Sequence, residues 1–392
     1  FLEAEINYGG RVTDDKDRRL LNTIVKGLTS PEVLEKGYKF SESGIYYAPE
    51  CNTIDEHIDF IRGFPLQPGP EAFGLHDNAD ITCAQNETFS LFEDLLECQP
   101  KSASGGGDRD EEIATLANDI LTRIPASLDI VKTSEMYPTD YHESMNTVLT
   151  QEVIRFNNML KVINSTLKVL LKALKGTVAM SAELDAIGTS LFNNQVPGKW
   201  AGKAYPSLKP LASWLIDLEA RLKFVQGWMD NGHPAAYWIS GFFFPQAFLT
   251  GTLQNYARKL KIGIDTIQLD FRNQTVDHTE IKEKPEDGVI VWGLFLEGAR
   301  FDVEEGSLAE SRPKELFTSY TPIWLCPVQD RPKPDPNTVL MCPCYKVLTR
   351  KGTLSTTGHS TNFVTTFEVP TSVKPEHWIK RGVALFLALA YQ

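Results

Sequence analysis

The stretch Val153-Ile-Arg-Phe-Asn-Asn-Met-Leu-Lys-Val-Ile-Asn-Ser-Thr-Leu-Lys-Val-Leu-Leu-Lys-Ala-Leu174 decides the first half of the fold. Its apolar residues Val153, Phe156, Leu160, Ile163, Leu167, Leu170 and Leu174 recur at alternating spacings of three and four. On a helix that spacing draws one continuous stripe along one side, a heptad seam lasting about three repeats. Gly176 ends it. A second seam runs through Leu208, Leu211, Leu215, Leu218, Leu222, Val225 and Met229, closed by Asn231-Gly232. Leu249, Leu253, Tyr256 and Leu260 mark another helix, opened by Pro245, because proline suits the first helical position. Both seams are short and closely followed by breakers. They therefore predict helices packed antiparallel in a bundle rather than a self-associating coiled coil.

Upstream, residues 1–98 read as short helices broken by Gly and Pro. Thr13 is the expected N-cap of the first, with Asp14, Asp15 and Asp17 at the positive end of its dipole and Gly27 as its stop. Ser30-Pro31 starts another. Thr53 and Glu56 form a capping box ahead of Ile58 and Ile61. A further helix is expected from Ile81 to Glu97. Lys101-Ser-Ala-Ser-Gly-Gly-Gly-Asp108 is a flexible polar break, and Asp110 to Arg123 is helical up to Pro125.

Past Ile262 the pattern changes. Ile267, Leu269 and Phe271 alternate with polar residues, as do Phe363, Thr365, Phe367 and Val369, and again Val383, Leu385, Leu387 and Leu389. Val289 to Leu296 is a more continuous apolar run, and Asp287-Gly288, Glu297-Gly298 and Lys351-Gly352 punctuate the region. This period of two predicts an antiparallel β-domain of about six strands, a sandwich or small barrel. The fold class is therefore α+β, with domains at 1–98, 99–262 and 263–392. The helical bundle and the β-part are expected to be two rigid bodies joined near Lys261-Ile-Gly263.

The formal charge of the 392 residues is −12. Such a surface repels phosphate backbones and anionic lipid, so no nucleic acid and no membrane is expected as main partner. Arg155, Lys161, Lys168, Lys172 and Lys175 form a local basic exception. The chain begins at Phe1 and is expected to be part of something larger. No signal peptide is visible, so the six cysteines, irregularly spaced, are expected to be free thiols in a reducing compartment.

Chemistry is hard to find. Gly105-Gly106-Gly107 is followed by Asp108 instead of the Lys and Ser or Thr that a phosphate loop needs, and Gly9-Gly10-Arg11 lacks the rest of such a site. There is no nucleophile elbow and no zinc-protease helix. Cys326, Cys342, Cys344 and His359 could supply four zinc ligands, but their spacing matches no common site. Cys342 and Cys344 are expected on one face of a strand. Hence no catalytic residue, no metal and no cofactor are expected. Trp238, Phe242, Phe243, Phe244 and Phe248 form a dense aromatic group, read as core or as an apolar surface covered by a neighbour.

Several strings resemble dynein heavy chains. Asn7-Tyr-Gly-Gly-Arg-Val-Thr-Asp-Asp15, with Asp17-Arg-Arg19, is similar to the start of the lid of the sixth AAA+ module, and Phe73-Gly-Leu-His-Asp-Asn-Ala-Asp80 to a second signature of that lid. Trp238 to Gly251, Gln254-Asn-Tyr-Ala-Arg258, Arg350 to Phe363 and His377-Trp-Ile-Lys-Arg-Gly-Val-Ala384 resemble the C-terminal domain that follows. The string 238–251 is most similar to axonemal dyneins of the inner-arm type, whereas Leu385–Gln392 departs from the family's ending. The resemblance implies a helical lid, then a C-terminal domain of helical and β-barrel parts lying on the AAA+ ring of the same heavy chain. Tyr8, Gly9, Gly10, Arg11, Asp14 and Asp15 carry the lid signature, and the aromatic group Trp238, Phe242, Phe243, Phe244 and Phe248 is the candidate ring interface. It further implies a non-catalytic structural and regulatory segment of an ATP-driven, minus-end-directed motor of the ciliary or flagellar axoneme. Other dynein subunits and microtubules would be met only through the whole motor. The alternative is a free-standing module that holds a ligand in the barrel or among the aromatics, which requires a deep pocket with convergent polar groups.

Overall fold

The computed structural model describes residues 1–98, 106–350, 352–353 and 360–390. Lys101 to Gly105 of the predicted polar break, His359, and Gln392 lie outside them. Gly106 to Asp108, expected in that break, already belong to a helix.

The first region holds α1 (Asp15–Leu28), α2 (Ile54–Arg62) and α3 (Asn78–Glu97). Asp14, not Thr13, caps α1, accepting from the backbone of Lys16 at 2.8 Å and Asp17 at 3.3 Å. Standing one residue nearer to the helix, its carboxylate reaches the orphan N–H groups. Gly27 is inside the helix, which runs one residue further. The Thr53–Glu56 capping box forms as expected. Ser30-Pro31 yields a single 3-10 turn.

The helical region follows, with α4 (Gly106–Arg123), α5 (Ile130–Met136), α6 (Ser144–Leu174), α7 (Ala182–Phe192), α8 (Gly198–Ala201) and α9 (Leu211–Asn231). After a short strand β1 (Ala236–Trp238) comes α10 (Pro245–Leu260). The seam of α6 is the axis of this region. Val153, Phe156, Leu160, Ile163, Leu167 and Leu170 are fully buried, and α6 packs against α4, α5, α7, α8, α9 and α10. Burying a side chain of that size stabilises by about 1.5–3 kcal/mol each, which explains why the seam dominates the local pattern. Leu208 does not belong to the second seam. It precedes Pro210, where α9 is capped, and is exposed.

The β-region comprises β2 (Ile267–Asn273), β3 (Val289–Trp292), β4 (Phe295–Glu297), β5 (Arg300–Asp302), β6 (Ser307–Ala309), β7 (Phe317–Ser319), β8 (Ile323–Gln329), β9 (Val339–Tyr345) and β10 (Phe363–Pro370). The helix α11 (Pro375–Lys380) and the strand β11 (Ala384–Phe386) complete it. It is not a closed barrel of about six strands. Two open sheets form, in the orders β1-β3-β8-β2 and β10-β9-β11-β4-β7, with a separate β5-β6 ribbon. Nor is it purely antiparallel: β1 pairs with β3, and β11 with β9, in parallel.

Two local causes defeat the simpler prediction. Gly293, at φ +92, breaks the apolar run 289–296 and sends β3 and β4 into different sheets. The run 383–390 does not alternate. Every residue in it is buried, because β11 lies centrally between β9 and β4 and both its faces are covered.

The helical and β-regions are not two bodies hinged at Lys261-Ile-Gly263. One continuous apolar core runs from Ile113 of α4 through α6, α9 and α10 to Val291, Leu325, Phe367 and Leu387. The strand β1, which belongs to the helical half of the chain, supplies an edge of the first sheet. At Gly293 an added Cβ would lie 2.4 Å from Trp238 Cδ1, so the turn that splits the sheets also seats this edge. Gly293→Ala combines that clash with a left-handed backbone. It should lower stability by ~2 kcal/mol or more, read as a shift in the urea midpoint, whereas Gly227→Ala in α9, with open space around it, should be neutral or stabilising.

Candidate functional site

Among the described residues two tightly bonded joints stand out. The first holds the 1–98 region against the end of the chain. Asn78, buried at the start of α3, donates from Nδ2 to the carbonyls of Arg312 (2.9 Å) and Glu315 (3.0 Å). Its Oδ1 accepts from the backbone N–H of Lys314 at 2.7 Å. Lys314 has φ +68, so one side chain holds a left-handed turn shut. From the other side Arg381 donates through Nη1 to the carbonyls of Leu75 (2.9 Å) and Gly74 (3.3 Å), and Glu310 pairs with both His377 and Arg381. Arg350 donates to the Gly382 carbonyl at 2.8 Å and pairs with Glu297. Arg19 of α1 donates to the Met341 carbonyl at 2.8 Å.

Burial tunes the charges here. It pushes the Cys342 thiol up to about 12, against the pull of Arg19 and Arg350. It also raises the Tyr345 phenol to about 12, with Asp14 adding to the effect. Lys16 and Arg19 are both lowered, chiefly by burial. Thus Lys16 and Arg19, on the polar side of α1, are half-buried or more where α1 meets β9 at Met341.

The second joint is the aromatic loop before α10. Glu152 of α6, itself buried, accepts from the backbone N–H of Phe243 at 2.6 Å and of Phe244 at 3.1 Å. Phe244 is the N-cap of α10 and Phe243 the residue before it, and a carboxylate at a helix start is favoured by the helix dipole. Burial raises the Glu152 carboxyl to about 7, although the two N–H groups, Arg155 and Arg221 all pull it down. Phe242 stacks on Phe248 at 4.6 Å, and both are buried; they are core, and no neighbour can reach them. Phe243 packs edge-on against Phe156 (4.9 Å) and Tyr205 (5.5 Å). Trp238 stacks on Trp292 at 5.9 Å. Of this group, Phe244 presents its ring outward, 38% exposed.

Residues 85–387 match the family model for the C-terminal domain of dynein heavy chains, and residues 1–79 match the one described as "Dynein heavy chain AAA lid domain". The chain belongs to the dynein heavy chains. It is 54% identical to dynein axonemal heavy chain 1 of Rattus norvegicus, with 100% of this chain and 9% of that protein covered. It is 47% identical to dynein axonemal heavy chain 3 of Homo sapiens (98% and 9% covered) and 48% identical to dynein axonemal heavy chain 12 of Mus musculus (99% and 13%). The chain therefore spans about a tenth of the length of these relatives.

Within this dynein segment the first joint is where the family-like strings meet. Gly74, Leu75 and Asn78 come from one lid string, Arg381 and Gly382 from the last C-terminal one, and Arg350 from a third. Of the other string between Arg350 and Phe363, Lys351 and 354–359 lie outside the described residues. The first lid string divides by role. Asp14 caps α1. Gly9 is needed because a Cβ there would sit 2.5 Å from the Ala4 carbonyl oxygen. Tyr8, Gly10, Arg11 and Asp15 face solvent. Ile54, Ile58 and Ile61 of α2, within the lid match, and Leu91, Phe92, Leu95 and Leu96 of α3, at the start of the C-terminal match, are exposed, which is the kind of apolar surface that marks an interaction site.

Cys342 and Cys344 are both buried on β9, whereas Cys326 is on β8 in the other sheet; all six cysteines are free. Among the described residues no group of three or more His, Cys, Asp or Glu is placed to hold a metal. The sheets enclose no barrel lumen. A cavity of about 430 Å³ lies between the start of α6, α10 and residues 284–289, and a larger one of about 720 Å³, between the start of α6 and the start of α10, is lined by Phe244, Gln151 and Arg258.

Sequence reasoning missed Asn78 and Glu152. The signal for Glu152 was present: an acid beside Val153 on the apolar side of α6.

Asn78→Ala removes three hydrogen bonds at once. It should cost about 2–3 kcal/mol by chemical denaturation and should open the segment 310–315 to protease before the rest of the molecule. A second prediction concerns pH. The Glu152 carboxyl is raised from 4.5 to about 7 on folding, so the stability it contributes is complete below its ordinary value and is lost as pH rises through about 7. The loss is on the order of 3 kcal/mol. In Glu152→Gln that pH-dependent loss should vanish from urea-denaturation curves between the two limits.

Proposed function

We propose that this chain is the non-catalytic structural and regulatory C-terminal segment of an axonemal dynein heavy chain. It packs on the AAA+ ring of the same heavy chain, within an ATP-driven, minus-end-directed microtubule motor that drives ciliary or flagellar beating. The finer assignment to the inner-arm type rests on the aromatic string 238–251. The observation that carries the reading is the pairing of a rigid lid joint with an uncovered lid. Asn78 and Arg381 fix the lid to the C-terminal body, while Ile54, Ile58, Ile61, Phe92 and Leu96 remain exposed. A surface of that kind fits a neighbouring ring module, and a lid fixed to the body passes any movement of that module to it.

The test uses the complete heavy chain. Asn78→Ala combined with Arg381→Ala should slow microtubule gliding and loosen the coupling of ATPase to microtubules, while nucleotide binding by the motor stays normal. Unchanged gliding in a variant whose lid is shown by proteolysis to be released would overturn the reading. The 392-residue segment alone should give no saturable heat with ATP or ADP and magnesium in calorimetry.

A further inference from the structure

The basic exception read in the sequence becomes a surface in the fold. Between Val153 and Lys175 there is no Asp or Glu, and Arg155, Lys161, Lys168, Lys172 and Lys175 are all exposed. None of the five enters an ion pair among the described residues, although the molecule as a whole carries a formal charge of −12. Some surface cations elsewhere in the molecule do have a carboxylate partner, as Lys132 with Asp230, Lys199 with Glu183 and Lys259 with Asp287; what sets this stretch of α6 apart is five exposed cations on one helix with no acid between them.

The exposed positions Ile154, Asn158, Lys161, Ser165, Lys168, Lys172 and Lys175 follow one another at spacings of four and three. They form a second stripe along α6, opposite the buried seam and ~30 Å long at about 1.5 Å per residue. Beside it, Ala126, Ser127, Leu128 and Ile130 with Asn157, Lys161, Asn164 and Lys168 line a groove of about 530 Å³.

An independent feature lies at the other end of the stripe. The exposed ring of Phe244 is held between two cations, Arg155 at 5.2 Å and Lys346 of the segment after β9 at 5.8 Å from its centroid. Lys346 is not in an ion pair among the described residues either, and burial together with Arg155 lowers its affinity for a proton. An aromatic ring framed by unpaired cations is the composition of an interface anchor, in which the ring supplies buried area and the cations supply register.

We propose that the outer face of α6, from Lys175 to Arg155 and on to Phe244 and Lys346, docks an acidic protein segment whose carboxylates pair with these lysines and whose apolar groups pack over Phe244. Charge complementarity selects the occupant: the basic stripe takes carboxylates, two copies that each carry a formal charge of −12 repel one another as whole molecules, and the exposed ring asks for a partner with apolar groups as well as charge. The inference does not rest on the ring-docking reading.

The test titrates the 392-residue protein into a fluorescein-labelled peptide of alternating glutamate and leucine and reads anisotropy, with circular dichroism to confirm that each variant folds. Wild type should bind saturably, and more weakly as salt is raised. The triple variant Lys161→Glu, Lys168→Glu, Lys172→Glu should lose at least ~tenfold in affinity, as expected for several close charge pairs turned repulsive. The neutral triple Lys→Gln at the same positions should lose less, in the same direction, and Phe244→Ala should weaken binding without changing its salt dependence. A control triple, Lys26→Glu, Lys282→Glu and Lys333→Glu, should bind as wild type. Equal weakening in the control triple, or no saturable binding by wild type, would overturn the proposal. Tighter competition by duplex DNA or by phosphatidylserine vesicles than by unlabelled peptide would also overturn it, because the surface would then select a polyanion of another class.

Discussion

The carboxylate of Glu152 holds the middle of this molecule together. It comes from α6, whose seam is fully buried, and it accepts the two N–H groups that begin α10. That contact fixes the start of α10. The loop it grips carries Phe242 and Phe243 into the core, sets the entry angle of α10, and leaves the adjacent strand β1 free to pair with β3. A buried charge is costly unless its oxygens are satisfied. The N–H contacts at 2.6 and 3.1 Å, with Arg155 and Arg221 at longer range, offset only part of that cost. The proton affinity of the group stays raised, so the joint is stabilised more by the protonated than by the ionised form. That is the mark of a contact fixed by geometry in a dry interior.

The lid joint works the opposite way. Its bonds are mostly to backbone carbonyls, made by Asn78, Arg19 and Arg381 at the edges of elements. Few apolar side chains of the lid enter the main core, whose residues begin at Ile113. Hydrogen bonds that depend on direction fix orientation without demanding a large buried area, and each is modest in net energy. Such a joint holds an angle well and can be separated without unfolding either side. The apolar stripes of α2 and α3 stay available for another surface.

How much of this was readable depended on how local the cause was. The α6 seam, the capping box at Thr53, the start of α10 at Pro245 and the ends of β2 and β10 follow from a few neighbouring residues, and their periodicity located them. The sheets did not follow. Whether Val289 to Leu296 is one strand or two turns on Gly293 and on the distant Trp238 beside it, and the full burial of 383–390 depends on β9 and β4 flanking it. The aromatic group was read as one surface or one core, yet it divides residue by residue: Phe242 and Phe248 inward, Phe244 outward. That division is set by the phase at which α10 begins, which Glu152 decides from 91 positions before Phe243 in the sequence. Asn78 was visible only as part of a family-like string, because the turn it closes lies at residues 312–315.

The shared core changes what a mechanical role can mean. Two bodies joined by a hinge near Gly263 would each follow its own neighbour, and the hinge would absorb their relative motion. Here α10 packs on β2, β8 and β10, and the helical half contributes a strand to the first sheet. Interiors packed to this density do not deform continuously; they transmit strain. A displacement applied to the α6 end of the body therefore reaches the β9–β11 end with little loss, and from there it meets the lid through Arg381 and Arg19. In the proposed setting the lid joint is then the step through which movement passes between ring and C-terminal body. There rigid parts meet through directional bonds that fix an angle instead of through a common core, so the orientation of the lid, more than its buried area, carries the displacement.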